Sequence, residues 1–297
     1  MKYNGIMFEN YLATETDLET IEEGLKTVWK PELNFVFRKK ELIASTVAVS
    51  YDSKQLYLWL PIRQRPGQYR LRKILHNITI PPEYHRGWHA GVWEKIEKRL
   101  PPPIRKASRL VIPHISGGLL KPFITLQKDK RLDVNPYTTK ESYLATIVHE
   151  FGHIYWEQHR LWWHSNKMDN LRLLRLAHNL YLHPRIKNTK ANLYLPTPYF
   201  IGELFAFCSE YTASDIFWPK HKIMLDKFGL YKTKSLIFFE KNKNLGREDS
   251  VIEASTNPHD FASVYGKIIL SQYPTTWPQL LTHSQRLGGL GGPGGGG

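Results

Sequence analysis

The amino-acid sequence predicts an α+β protein. Residues 15–29, 138–155 and 201–212 repeat their apolar positions every three or four residues, as amphipathic or buried helices do. Between residues 34 and 60, by contrast, apolar and polar residues alternate as they do in strands. Across 297 residues, 41% apolar and 13% aromatic, there is enough apolar surface for both kinds of element to share a sizeable core.

The elements follow in order. Leu18, Ile21, Leu25 and Val28 mark an opening helix whose early acidic residues suit the positive end of a helix dipole. Three alternating runs, NFVF (34–37), STVAVSY (45–51) and QLYLWL (55–60), read as strands, with Asp52-Ser53-Lys54 as the hairpin turn between the last two. Pro81-Pro82 and the polar stretch to Gly87 mark a boundary, and residues 92–100 read as a helix stopped by Pro101, Pro102 and Pro103. Strands are expected at 109–112, 122–127 and 132–134. The expected organisation is therefore an N-terminal α/β region over 1–86, a main domain over 87–285, and a Gly-rich flexible tail over 286–297.

Lys and Arg outnumber Asp and Glu by 41 to 27, a formal charge of +14. Such a surface attracts nucleic acid, anionic membrane or another acidic partner, but charge alone does not choose among them. The densest run, RQRPGQYRLRK (63–73), carries one aromatic and fits no nucleic-acid module, so a solvated basic face is expected there. No stretch is apolar enough to span a membrane, and the first 25 residues lack a secretory pattern, so a cytoplasmic setting is expected. One cysteine, Cys208, precludes an internal disulfide and a four-thiolate zinc site. Any metal must rely on His and carboxylate.

Thr138 and Glu141 have the spacing of a capping box, and Leu144, Ile147, Val148, Phe151 and Tyr155 repeat as a buried helix face. Within that helix stands HEFGH, residues 149–153. His149 and His153 fall one turn apart on one stripe, so both imidazoles can reach a single ion at about 2.0–2.1 Å. Glu150, about 100° around the helix, can take a proton from water polarised by that ion. A chance match in a chain of this length is on the order of one in a hundred. The pattern therefore points to zinc chemistry, of which peptide hydrolysis is the usual use.

A catalytic zinc takes three protein donors and water. His159 gives the spacing HExxHxxxxxH of metzincins and of some DNA-associated peptidases, but Trp156 stands where metzincins have glycine. On an unbroken helix His159 lies about 12 Å along the axis from the midpoint of the His pair and about 80° around it from His149. Glu203 belongs to a helical segment in which Ile201, Leu204, Phe205, Cys208 and Thr212 keep an apolar period while Glu203, Ala206 and Glu210 line another stripe. Two acids on a packed face require a positive partner, and two turns apart, about 10 Å, only one of them can ligate. A third candidate, NPHDFASVY (257–265), offers His259 or Asp260, but reads more readily as a packing helix with Asp260 in its first turn.

ELFAFCSE, Glu203 to Glu210, resembles the ExFAxxSE segment that follows HExFxH in gluzincin peptidases of the Mlc titration factor and anthrax lethal factor type. The resemblance covers the two helices from Lys140 to Ser209. It implies a zincin-like domain: a small mixed sheet, an active-site helix carrying HExxH and a following glutamate helix. It further implies zinc ligated by His149, His153 and Glu203, Glu150 as general base, Glu210 as a supporting acid, and a peptide or protein substrate. Those families carry a tyrosine seven residues before the ligand glutamate. Here Pro196 occupies that position, leaving Tyr199 or Tyr194 as replacements. The expectation is a zinc-dependent endopeptidase. The alternatives are a three-histidine, Spartan-like enzyme using His159 near DNA, and an inactive protein of the same fold that binds an anionic partner.

Overall fold

The computed structural model describes residues 12–38, 40, 43–52, 54–76, 78, 95, 98–103, 109–111, 139–159, 198–241 and 258–282. The chain divides into two compact units: 1–131 with 137–154, and 132–136 with 155–297. The expected boundary near residue 87, the expected strands at 122–127 and 132–134, and most of the expected helix at 92–100 lie outside the described residues.

In the first unit, helix α1 (Glu15–Thr27) starts at Thr14, whose hydroxyl accepts from the Asp17 amide while the Asp17 carboxylate accepts from the Thr14 amide. That reciprocal cap satisfies two amides that the first turn would otherwise leave without a helical partner. Strands β1 (Val47–Tyr51), β2 (Gln55–Pro61), β3 (Tyr69–Leu75) and β4 (Arg109–Val111) form a sheet of order β3-β2-β1-β4. The first three pair antiparallel, with Tyr51 opposite Leu56 and Leu58 opposite Arg72, and β4 runs parallel to β1. The β1–β2 hairpin closes at Asp52 as its sequence predicts. The carboxylate accepts from the Lys54 and Gln55 amides, and its other oxygen accepts from the Tyr57 hydroxyl at 2.5 Å. Val47, Val49, Tyr51, Leu56, Leu58 and Leu100 make the core of this sheet.

One reading of this region needs correction. Residues 34–37 are not a strand: the 3-10 turn Pro31–Leu33 continues into turns through 36. Pro31 sets φ for the first helical position, and Leu33, Val36 and Phe37 then reach the interior at the three-to-four-residue spacing of a helical coil rather than by alternation. The basic run 63–73 also supplies most of β3, and Arg70, Arg72 and Lys73 are exposed on it, in keeping with a solvated basic face.

Helix α2 (Lys140–His159) opens with a reciprocal cap in which Thr139 Oγ1 accepts from the Ser142 amide and Ser142 Oγ from the Thr139 amide. Thr138 lies outside the described residues. Gly24 of α1 lets α2 come close: a Cβ there would stand 2.5 Å from Ile147 Cδ1. Lys140 also reaches Glu23 at 2.7 Å.

The described residues of the second unit are largely helical. The last turn of α2 belongs to it, with α3 (Pro198–Phe217), α4 (Pro219–Lys241), α5 (Pro258–Gln272) and the short α6 (Trp277–Thr282). Pro198 and Pro219 each stand at the first position of a helix, where the missing N–H has no helical partner to lose. Phe205 of α3 stacks on Tyr155 at 5.7 Å and meets Trp277 edge-on at 5.0 Å. Such pairs contribute about 0.5–1.5 kcal/mol each beyond their burial. Among the described residues no helix is long and apolar enough to cross a membrane.

Candidate metal centre

The HEFGH residues stand within α2, which runs without interruption from Lys140 to His159. His149, Glu150 and His153 are all partly exposed, whereas Phe151 and Val148 behind them are buried. One helical turn brings His149 Nε2 and His153 Nε2 to 3.1 Å, with the rings edge to face. A direct hydrogen bond between these nitrogens requires one of them to carry the hydrogen. Two nitrogens bound to one tetrahedral zinc at about 2.0–2.1 Å are separated by about 3.3 Å and require none. The imidazole pair thus fits a shared zinc ion.

His159 faces its own helix. Its Nδ1 lies 2.8 Å from the Tyr155 carbonyl and its ring stacks on Tyr155 at 4.1 Å. Trp156, where a break would have to begin, is buried and donates from Nε1 to the Leu281 carbonyl at 3.1 Å. That bond and the packing around it hold the backbone helical through the point at which His159 would need to turn.

In the second unit α3 buries both of its candidate acids. Glu203 is 6% exposed and Glu210 1%, with Ala206 fully buried between them on the same stripe. Each carboxylate meets an imidazole. Glu210 Oε1 accepts from His221 Nε2 at 3.1 Å, both side chains being almost fully enclosed. Glu203 Oε2 lies 3.1 Å from His259 Nδ1, and the His259 side chain is 66% exposed. His259, ranked last among the donors by its sequence context, is thus set beside the carboxylate ranked first. Asp260 and Tyr199 lie on described helices, but their side chains are outside the described residues, as is Tyr194 altogether.

His221 carries no sequence signal. It stands in the first turn of the next helix, eleven residues from Glu210, with neither a motif nor a stripe to link the two. Another acid of this unit, Asp226, accepts from the Tyr211 hydroxyl at 2.8 Å and pairs with Lys222 and Lys267. Its charge is neutralised locally, so it is a structural acid.

Comparison with protein-family models, curated proteins and solved structures finds no match.

Proposed function

We propose that this protein is a zinc-dependent peptidase in which His149, His153 and Glu203 hold the metal and Glu150 is the general base. The observation that carries the reading is the 3.1 Å approach of two histidine Nε2 atoms on an unbroken helix, with Glu150 next in sequence. The burial of Glu203 supports it, because a carboxylate taken from water needs compensating positive charge. His149, Glu203 and His259 offer donors of the kinds that zinc takes, although such a set is not specific to zinc. The choice of zinc rests on the HExxH pattern.

When bound, zinc lowers the pKa of water and polarises a carbonyl oxygen. Glu150 then has one task in two strokes. Its carboxylate accepts a proton as the water oxygen bonds to the peptide carbon, and returns that proton to the amide nitrogen as the carbon–nitrogen bond breaks. His149 and His153 serve as neutral imidazoles, and Glu203 contributes one negative charge that tempers the ion.

The three-histidine alternative has less support, since His159 is engaged with Tyr155 on a helix that does not break. Elemental analysis of wild type, Glu203→Ala and His159→Ala tests the choice. One zinc per chain in wild type and in His159→Ala, lost in Glu203→Ala, is the expected result. Loss with His159→Ala alone would transfer the assignment to the three-histidine enzyme.

A further inference from the structure

Resting on that reading, we infer that His259 is a fourth protein ligand, so that the resting metal is enclosed by three imidazoles and one carboxylate and has to shed His259 before it can act on a substrate.

Helices α3 and α5 meet at Gly266, where a Cβ would lie 2.5 Å from Phe207 Cδ1, 2.9 Å from Phe207 Cε1 and 3.5 Å from Cys208 Sγ. A side chain of any size at 266 would push the helices apart, so that contact fixes their register. His259 precedes Gly266 by seven residues, two turns of helix, on the same stripe. Glu203 precedes Phe207 by four. The two helices run in the same sense, and the register set at Gly266 brings His259 alongside Glu203. Backbone packing therefore sets the two residues side by side.

The second step is chemical. Nδ1 of His259 and Oε2 of Glu203 are 3.1 Å apart, matching the Nε2 separation of the HExxH pair. Both fit donors sharing a tetrahedral ion, for which about 3.3 Å follows from bonds of about 2.0–2.1 Å. Four protein donors close a zinc site, whereas a catalytic zinc keeps a position open. Of the donors proposed, His259 is the one suited to leave. Glu203 is buried in α3 and the His pair is fixed one turn apart on α2, but the His259 side chain is 66% exposed and has solvent to turn into.

X-ray absorption at the zinc edge counts imidazole ligands directly, and does so without reference to activity. The inference expects three imidazoles in wild type and two in His259→Ala, with the HExxH pair and Glu203 retained. A second variant, His259→Asn, should give the same imidazole count as His259→Ala. Two imidazoles in both wild type and His259→Ala would overturn the inference and make His259 a hydrogen-bond partner of Glu203, leaving the peptidase reading intact. Three in both proteins would overturn it as well, by placing the third imidazole elsewhere. Wild type that takes up no zinc would remove the reading on which the inference depends.

Discussion

At the scale of single residues, two carboxylates on one helix stripe have different partners and so different expected roles. Glu210 is enclosed with His221, and removing one member of such a pair strands the other away from water, at a cost of about 3–5 kcal/mol. His221→Ala should therefore lower the denaturant midpoint sharply, whereas Glu210→Gln, which keeps an acceptor for the imidazole N–H, should cost less. Similar stability for His221→Ala and wild type would show that the pair is not structural. Glu150 stands in contrast, partly exposed. Glu150→Gln should retain the wild-type melting temperature and zinc content while losing at least about 10²-fold in peptide hydrolysis, the lower end of what a positioned general base supplies. The approach of His149 and His153 could be read from sequence because one turn of a single helix holds both. The Glu210–His221 and Glu203–His259 pairs could not, since each joins two helices whose register depends on distant packing.

At the scale of elements, glycine at two helix contacts gives a graded prediction. Alanine favours a helix interior by about 1 kcal/mol over glycine, so in open space either substitution would stabilise. At Gly266 the new methyl meets two atoms of the Phe207 ring closer than 3.0 Å, and a ring in a packed interface cannot bend aside. Gly266→Ala should therefore destabilise by a net of about 1–3 kcal/mol, the range for overpacking. At Gly24 the one contact below 3.0 Å is the terminal methyl of Ile147, which can rotate, so Gly24→Ala should fall closer to neutral. Thermal melts of the two variants rank them directly, and a Gly266→Ala protein more stable than Gly24→Ala would contradict the close packing of α3 and α5. Elements with a clean period, α1, α2, β1 and β2, were legible in the sequence. Residues 34–37 were not, because three apolar residues after Asn34 fit a strand and a buried turn equally well until Pro31 is seen to start a 3-10 turn. Nor was β3, where charge obscured an alternation that pairing with β2 makes plain.

At the scale of the whole molecule, buried tyrosines limit the alkaline range. Burial raises Tyr51 to about 12 and, despite an opposing hydrogen bond from Trp29, Tyr69 to about 12. Burial also raises Tyr57, with the neighbouring Asp52 carboxylate adding to the effect, and burial raises Tyr265 in the second unit. An unfolded tyrosine ionises near pH 10, so between about pH 10 and 12 the unfolded chain has released protons that the folded chain still holds. Stability is accordingly full below that window and falls as pH rises through it. Circular dichroism and tyrosinate absorbance followed together should change in concert above about pH 10. Tyrosinate that titrates near 10 while the dichroism stays native would show these phenols to be accessible.

Helix α2 contributes Lys140 to Ile154 to one unit and Tyr155 to His159 to the other. At this point the main chain passes from one unit to the other inside a helix. Modular proteins exchange parts where a loop can be cut and resealed, and a seam drawn here would sever a helix within two residues of His153. Such a chain is expected to be inherited whole, and to vary by substitution at its surfaces rather than by recombination at its middle.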